Sequence, residues 1–251
     1  MEKYFDINEQ KFSIRCKLYC KDIHQIRRVI LFGHGFGGHK DNKACARFAG
    51  QAISKYKDLA VLVFDWPCHG LDARNRLSLA DCDAYLTIVL DYIRRTWTEE
   101  AIYCYATSFG GYLVLKYISE HGNPFRKIAL RCPAVSIYNS LLNTIMTAED
   151  KILIEKGKDA LVGFDRKVKI NKAYLEELAA NDIRERDYLD YADDLLIIHG
   201  SKDEIIPFED VKTFAEDNVI EMLTAEGADH RFRNQQLIDQ AHQDILKFFA
   251  L

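Results

Sequence analysis

Five short apolar runs, at 28–33, 59–65, 101–107, 127–132 and 194–200, recur along this chain with helix-period segments between them. A strand apolar on both faces has to be buried on both faces, and helices are what cover it. The helical segments fall near 41–56, 78–96, 109–121, 172–181 and 208–216. This alternation predicts an α/β fold with a mostly parallel sheet, right-handed crossovers and helices on both sides. Two amphipathic strands near 3–9 and 12–20 open the chain, and a strand near 218–224 precedes a final helix near 235–250. Together they bring the expected sheet to eight strands.

Local punctuation supports the helices. Ser78 with Asp81 makes an S-x-x-D start, after which Leu79, Cys82, Leu86, Val89 and Ile93 follow one face. His121-Gly122 followed by Pro124 reads as a stop. The stretch 136–190 is too long for one crossover and predicts a small cap inserted into one domain spanning 1–251. Within it, "LVGFDRKVKINKAYLEEL" (161–178) reads as a β-hairpin followed by a helix. Its apolar residues Tyr138, Leu141, Leu142, Ile145, Met146, Leu161, Val162, Phe164, Tyr174 and Leu175 are expected mostly to pack the cap down, with a few facing a substrate.

A net charge of −4 argues against a nucleic-acid surface, which needs clustered Lys and Arg. No apolar run approaches a membrane span, and "MEKYFDINEQ" lacks the apolar core of a secretory signal, so a cytoplasmic protein is expected. Seven cysteines at irregular spacing contain no C-x-x-C pair and imply no disulfide framework. Cys16-x3-Cys20-x3-His24 has a metal-like spacing, yet Phe12, Ile14, Cys16, Leu18 and Cys20 alternate with polar neighbours, as core cysteines of a half-buried strand do.

The loop "LFGHGFGGHKD" (31–41) matches G-x-G-x-x-G through Gly33, Gly35 and Gly38. Such a loop cradles a dinucleotide pyrophosphate or leaves a backbone N–H bare for a developing oxyanion. Walker A fails, because His39 follows Gly38 where Lys is needed. The dinucleotide reading has an acid at the right distance, Asp58, but it precedes the next strand instead of ending it.

A second motif decides the first. In "AIYCYATSFGGYL" (101–113) an apolar strand runs into Ser108, then Phe109-Gly110-Gly111, then helical periodicity. This is the strand–turn–helix context of G-x-S-x-G, with small Ala106 in place of the first glycine. The Phe109 N–H opens that helix and is positioned to donate to an oxyanion. A nucleophilic serine needs a base, and the base a carboxylate. Asp203 follows the strand "DLLIIHG" and His230 lies in "EGADHRF" after the last strand, both where catalysts gather in open α/β sheets. Glu204 competes for the acid role; Asp203 is preferred because it closes the pattern begun by His199-Gly200. His34, His69 and His199 are expected to brace loops, His39 to rim the oxyanion loop, His121 to favour a helix C-terminus, and His242 to lie in a polar-faced helix.

In order and spacing, "HGFGG", "DWPCHG", "ATSFGG", "HGSKD" and "GADH" resemble a serine α/β-hydrolase over nearly the whole chain. That resemblance implies Ser108 as nucleophile, His230 as base, Asp203 as its orienting acid, and the N–H groups of Phe36 and Phe109 as the oxyanion hole. It implies acyl transfer to water from a small-molecule ester, with no metal or organic cofactor. Peptidases, thioesterases and acyltransferases share the same residues, and a non-catalytic binding protein on this fold is a further alternative. The insertion is similar to the cap of small carboxylesterases that include cinnamoyl (feruloyl) esterases.

Overall fold

The computed structural model describes residues 1–72, 76–97 and 101–251. Eight strands form one sheet: β1 (Glu2–Glu9), β2 (Phe12–Tyr19), β3 (Arg28–Gly33), β4 (Leu59–Phe64), β5 (Ala101–Thr107), β6 (Ile128–Arg131), β9 (Leu195–Gly200) and β10 (Glu221–Ala225). Their spatial order is β1-β2-β4-β3-β5-β6-β9-β10. β2 runs antiparallel to both β1 and β4, and every other pairing is parallel. The sheet is thus the mostly parallel one expected.

Successive residues of the central strands supply two separate cores. Leu31, Leu62, Cys104, Leu130 and Ile197 face α2 (Leu79–Thr96) and α3 (Phe109–His121). Phe32, Val63, Tyr105, Ala129 and Ile198 face α1 (Lys43–Lys55) and α8 (Gln235–Phe248). A period of two through wholly apolar strands explains why the runs carry no polar face. Asn42 caps α1 and Ser78 caps α2, each side chain accepting a backbone N–H three residues on. α3 stops at Gly122, whose φ of 81° suits glycine. No helix among the described residues is long and apolar enough to cross a membrane.

The insertion holds the expected hairpin, β7 (Ala160–Val162) with β8 (Val168–Ile170), followed by α6 (Lys172–Ala180). It also holds elements the periodicity did not reveal. α4 (Ile137–Ser140) passes directly into a π-helical turn (Leu141–Ile145), and a Thr147–Asp150 capping box opens α5 (Ala148–Glu155). Each is too short to establish a 3.6-residue stripe. The last strand starts three residues later than expected, because Ile220 N–H donates to Ala215 O at 2.9 Å and Val219 takes φ 56° to close α7 (Phe208–Asp217).

Candidate active site

Ser108 joins β5 to α3 with φ 51° and ψ −119°, a conformation unfavourable for any residue with a Cβ. The surrounding small residues are dictated by contact distances. A Cβ on Gly110 would stand 2.5 Å from Gly33 O, and one on Gly33 would stand 3.1 Å from the Ala106 Cβ. Glycine at position 33 therefore makes room for alanine at 106, the departure from G-x-S-x-G noted above. The Ser108 hydroxyl makes no capping bond to α3 and instead lies 3.0 Å from His230 Nε2.

His230 Nδ1 lies 2.8 Å from Asp203 Oδ2. The other Asp203 oxygen accepts the N–H groups of Ile205 and Ile206 at 2.9 and 2.8 Å. Burial pushes the Asp203 carboxyl up, but its bond to His230 and these N–H groups outweigh that and hold it below the usual carboxylate value. A neutral imidazole protonated at Nδ1 satisfies both neighbours and presents a lone pair to the serine. Glu204 takes a different partner, accepting the His230 backbone N–H at 3.1 Å.

The loop opposite the serine is held from beneath. Buried Asp65 accepts Lys40 N–H at 2.7 Å, Leu71 N–H at 3.0 Å and the Lys40 ammonium at 3.2 Å. Any Cβ at Gly70 would collide with that carboxylate at 2.3 Å. His34 Nδ1 lies 2.9 Å from Gly35 O, and the Trp66 indole donates to His34 O at 3.0 Å. A Cβ on Gly35 would come within 3.2 Å of the Ser108 Cβ, so the loop backbone runs against the elbow. Phe109 opens α3, so its N–H has no acceptor within the helix. The rings of Phe36 and Phe109 meet edge to face with centroids 5.6 Å apart.

Ser108 and His230 open into a cavity of about 350 Å³ shared with Phe36, His39, Arg131, Phe164, Arg166 and Arg231. Of the ten apolar insertion residues singled out in the sequence, Phe164 alone lines it among the described residues. Leu141, Val162 and Tyr174 are buried against the core, and Leu161 is exposed. Three arginines line the wall, and sequence reasoning passed over all of them. Arg231 follows the candidate base directly, and Arg131 ends β6, so position alone marked two of them.

The other histidines mostly brace the backbone as expected, His69 against Pro67 O at 2.8 Å and His199 against Ile206 O at 3.2 Å. His121 adds a contact of 2.9 Å to Asp83. His242 lies in the polar-faced helix α8 as expected, but on its inner face: it is fully buried, lies 2.9 Å from Gln51 Oε1 and packs on Phe48 and Tyr105. Cys16 is buried within β2, its thiol 3.5 Å from Ile14 O. Cys132, Asp203 and His230 each place a potential ligand atom within 4.8 Å of the others, but burial pushes the Cys132 thiol up, as does Asp203, and keeps it protonated.

The family model described as "Serine aminopeptidase, S33" matches residues 24–187, a span that holds Ser108 but ends before Asp203 and His230. No curated protein matches the chain. Among solved structures, Est1E from Butyrivibrio proteoclasticus with ferulic acid bound is 19% identical with a TM-score of 0.77, covering 98% of this chain and 100% of its own. A hydrolase from Agrobacterium vitis S4 is 17% identical with a TM-score of 0.74, covering 99% and 98%. Alpha/beta hydrolase domain-containing protein 10 from mouse is 15% identical with a TM-score of 0.71, covering 99% and 98%. At these identities the likeness is one of fold. With the family model matching well over half of the chain, this protein belongs to the serine aminopeptidase family of serine α/β-hydrolases.

Proposed function

We propose that the protein hydrolyses carboxylic esters through an acyl-enzyme on Ser108. One observation carries the reading: His230 bridges the Ser108 hydroxyl at 3.0 Å and the Asp203 carboxylate at 2.8 Å. As Ser108 Oγ bonds to the ester carbonyl carbon, its proton passes to His230 Nε2. The carbonyl oxygen becomes an oxyanion held by the N–H groups of Phe36 and Phe109. The carbon–oxygen bond to the alcohol then breaks, and the imidazolium returns its proton to the departing alkoxide. Water repeats the sequence and releases the acid with Ser108 restored. Asp203 keeps the imidazole in the required tautomer and stabilises its cation.

An aromatic acyl group is supported by Phe36 and Phe164 on the cavity wall and by the ferulic acid bound to Est1E. A second reading, cleavage of an aminoacyl amide, is favoured by the family description and uses the same atoms. Purified protein offered 4-nitrophenyl acetate, a feruloyl ester and aminoacyl 4-nitroanilides separates these. Ester turnover that disappears in Ser108→Ala is expected. Turnover of the anilides alone would move the protein to the peptidase reading, and an unlabelled Ser108 after fluorophosphonate treatment would remove the nucleophile.

A further inference from the structure

The charges around Ser108 do not balance. Arg131, Arg166 and Arg231 line the cavity, and Asp165 is the carboxylate among its lining residues. Asp165 is already paired with Arg231 at 2.8 Å, and that guanidinium also lies over the Phe164 ring. A second cavity of about 260 Å³ adjoins the first, sharing Gly37, Gly38 and Arg166 with it. It adds Lys167 and no carboxylate. Burial holds both His34 and His39 below the usual histidine value, with the charge of Arg166 adding to it at His39, so neither adds to the charge near neutral pH.

Arg131 is the more telling of the two remaining arginines. Its residue is 6% exposed. Its guanidinium donates to Tyr105 Oη at 3.2 Å and His230 O at 3.4 Å and stacks on Phe232 at 4.8 Å, all neutral partners. Among the described residues, neither Arg131 nor Arg166 has a carboxylate within ion-pairing distance. Neutral acceptors return only part of the hydration a buried cation gives up, so an anion reaching this wall gains what the resting site lacks.

Resting on the ester-hydrolase reading, we infer that the substrate carries an anionic group beside its scissile ester, held between Arg131 from the sheet and Arg166 from the hairpin. A planar guanidinium matches carboxylate and phosphate oxygens alike through paired N–H donors. The preferred substrate class is therefore an acid-bearing ester, such as a half-ester of a dicarboxylic acid, and the anion sets binding while Ser108 and His230 carry the chemistry.

The test compares kcat/KM for 4-nitrophenyl butyrate, 4-nitrophenyl hemiglutarate and 4-nitrophenyl 4-phosphonobutyrate. Wild-type protein is expected to favour at least one acid-bearing ester over the neutral one by about tenfold or more, and which one identifies the anion. In Arg166→Gln, an exposed position where folding is not at stake, that ratio should fall about tenfold, mainly through KM. It should also fall as salt rises from about 0.05 to 0.5 M, a response that a packing role for the arginine does not produce. Arg131→Lys keeps a cation and should retain more of the preference than Arg131→Gln, with melting curves confirming that both are folded. Turnover of the neutral ester with no preference for either anion, or a preference unchanged in Arg166→Gln, overturns the inference and leaves the esterase reading intact. If no ester is turned over, the esterase reading falls and calorimetric titration of glutarate and of phosphonobutyrate decides the anion site. Binding weakened by Arg166→Gln supports it, and no binding overturns it.

Discussion

Asp203 Oδ2 faces His230 Nδ1 at 2.8 Å, whereas Glu204, the adjacent carboxylate, meets His230 through its main-chain N–H. The two acids should therefore differ sharply on mutation. Asp203→Asn is expected to lower kcat by roughly 10⁴, because an amide no longer enforces the Nδ1-protonated tautomer. Glu204→Gln keeps an acceptor for the His230 N–H and should cost less than about tenfold. Steady-state kinetics of the two folded variants checks the ranking; the reverse order would transfer the acid role to Glu204.

Ser108 offers a second test that links activity to backbone strain. Ser108→Ala is expected to lower kcat by roughly 10⁴–10⁶, leaving only binding and the oxyanion donors. It retains a Cβ at φ 51° and hence the strain. Ser108→Gly removes that Cβ and should melt above Ser108→Ala by several degrees, since such strain is worth about 1–3 kcal/mol. Glycine ordinarily destabilises relative to alanine, so the inverted order is diagnostic.

Gly110→Ala should destabilise the fold and the site together. The new Cβ meets Gly33 O at 2.5 Å and His34 O at 2.7 Å, main-chain atoms with no flexible end to yield. α3 would have to lift from β3, at a cost of about 1–3 kcal/mol. Urea denaturation of the variant measures this, and a midpoint equal to wild type would contradict the packing described.

Stability should fall with acid well above the carboxylate range. Burial lowers His69 to about 4; burial, and then the charge of Arg131, lower His242 to about 3. In the unfolded chain each recovers a value near ~6.5 and takes up a proton that the folded state refuses. The unfolded state thus binds more protons between about pH 4 and 6.5, and each histidine lowers stability by about 1.4 kcal/mol per unit fall in pH across that window. Asp203, depressed in the fold, adds a loss in the same direction at lower pH. His242→Leu should flatten the dependence of the unfolding free energy on pH by close to one proton, as read from urea titrations at pH 5 and 6.

Much of this architecture was legible because its causes are local. Leu31 and Phe32 are neighbours of identical polarity, yet they enter opposite cores, which is what a run without a polar face requires. Ser108 announced itself because a strand, a cramped turn and a helix leave a compositional trace within thirteen residues. The insertion hairpin was visible in the same way.

What was missed depends on distance in the chain. Arg131 ends an apolar run like any other strand residue, and only the fold turns its guanidinium toward the carbonyl of His230, ninety-nine residues on. The insertion's apolar residues do mostly pack it down, as expected, but that Phe164 is the one facing the cavity among the described residues was not readable, because polarity alone does not say which side of a small insertion faces inward. His242 is the instructive case, since the expectation of a polar-faced helix left open which side of α8 it takes. Its stripe with Ile238, Ala241 and Ile245 already placed it on the buried face, and spacing outweighs residue type there.

The three residues of the candidate site hang from the ends of β5, β9 and β10, and β10 is an edge strand of the sheet with no fully buried residue. His230 is thus moored to a margin of the sheet, while Ser108 sits at its centre. Loosening that margin should part His230 from Ser108 before the sheet itself dissolves. During gradual denaturation, catalysis should vanish while far-ultraviolet ellipticity stays nearly intact. The enzyme's working life is then governed by one peripheral seam, and reinforcing β10 against its neighbour would prolong it without altering a single atom of the cavity.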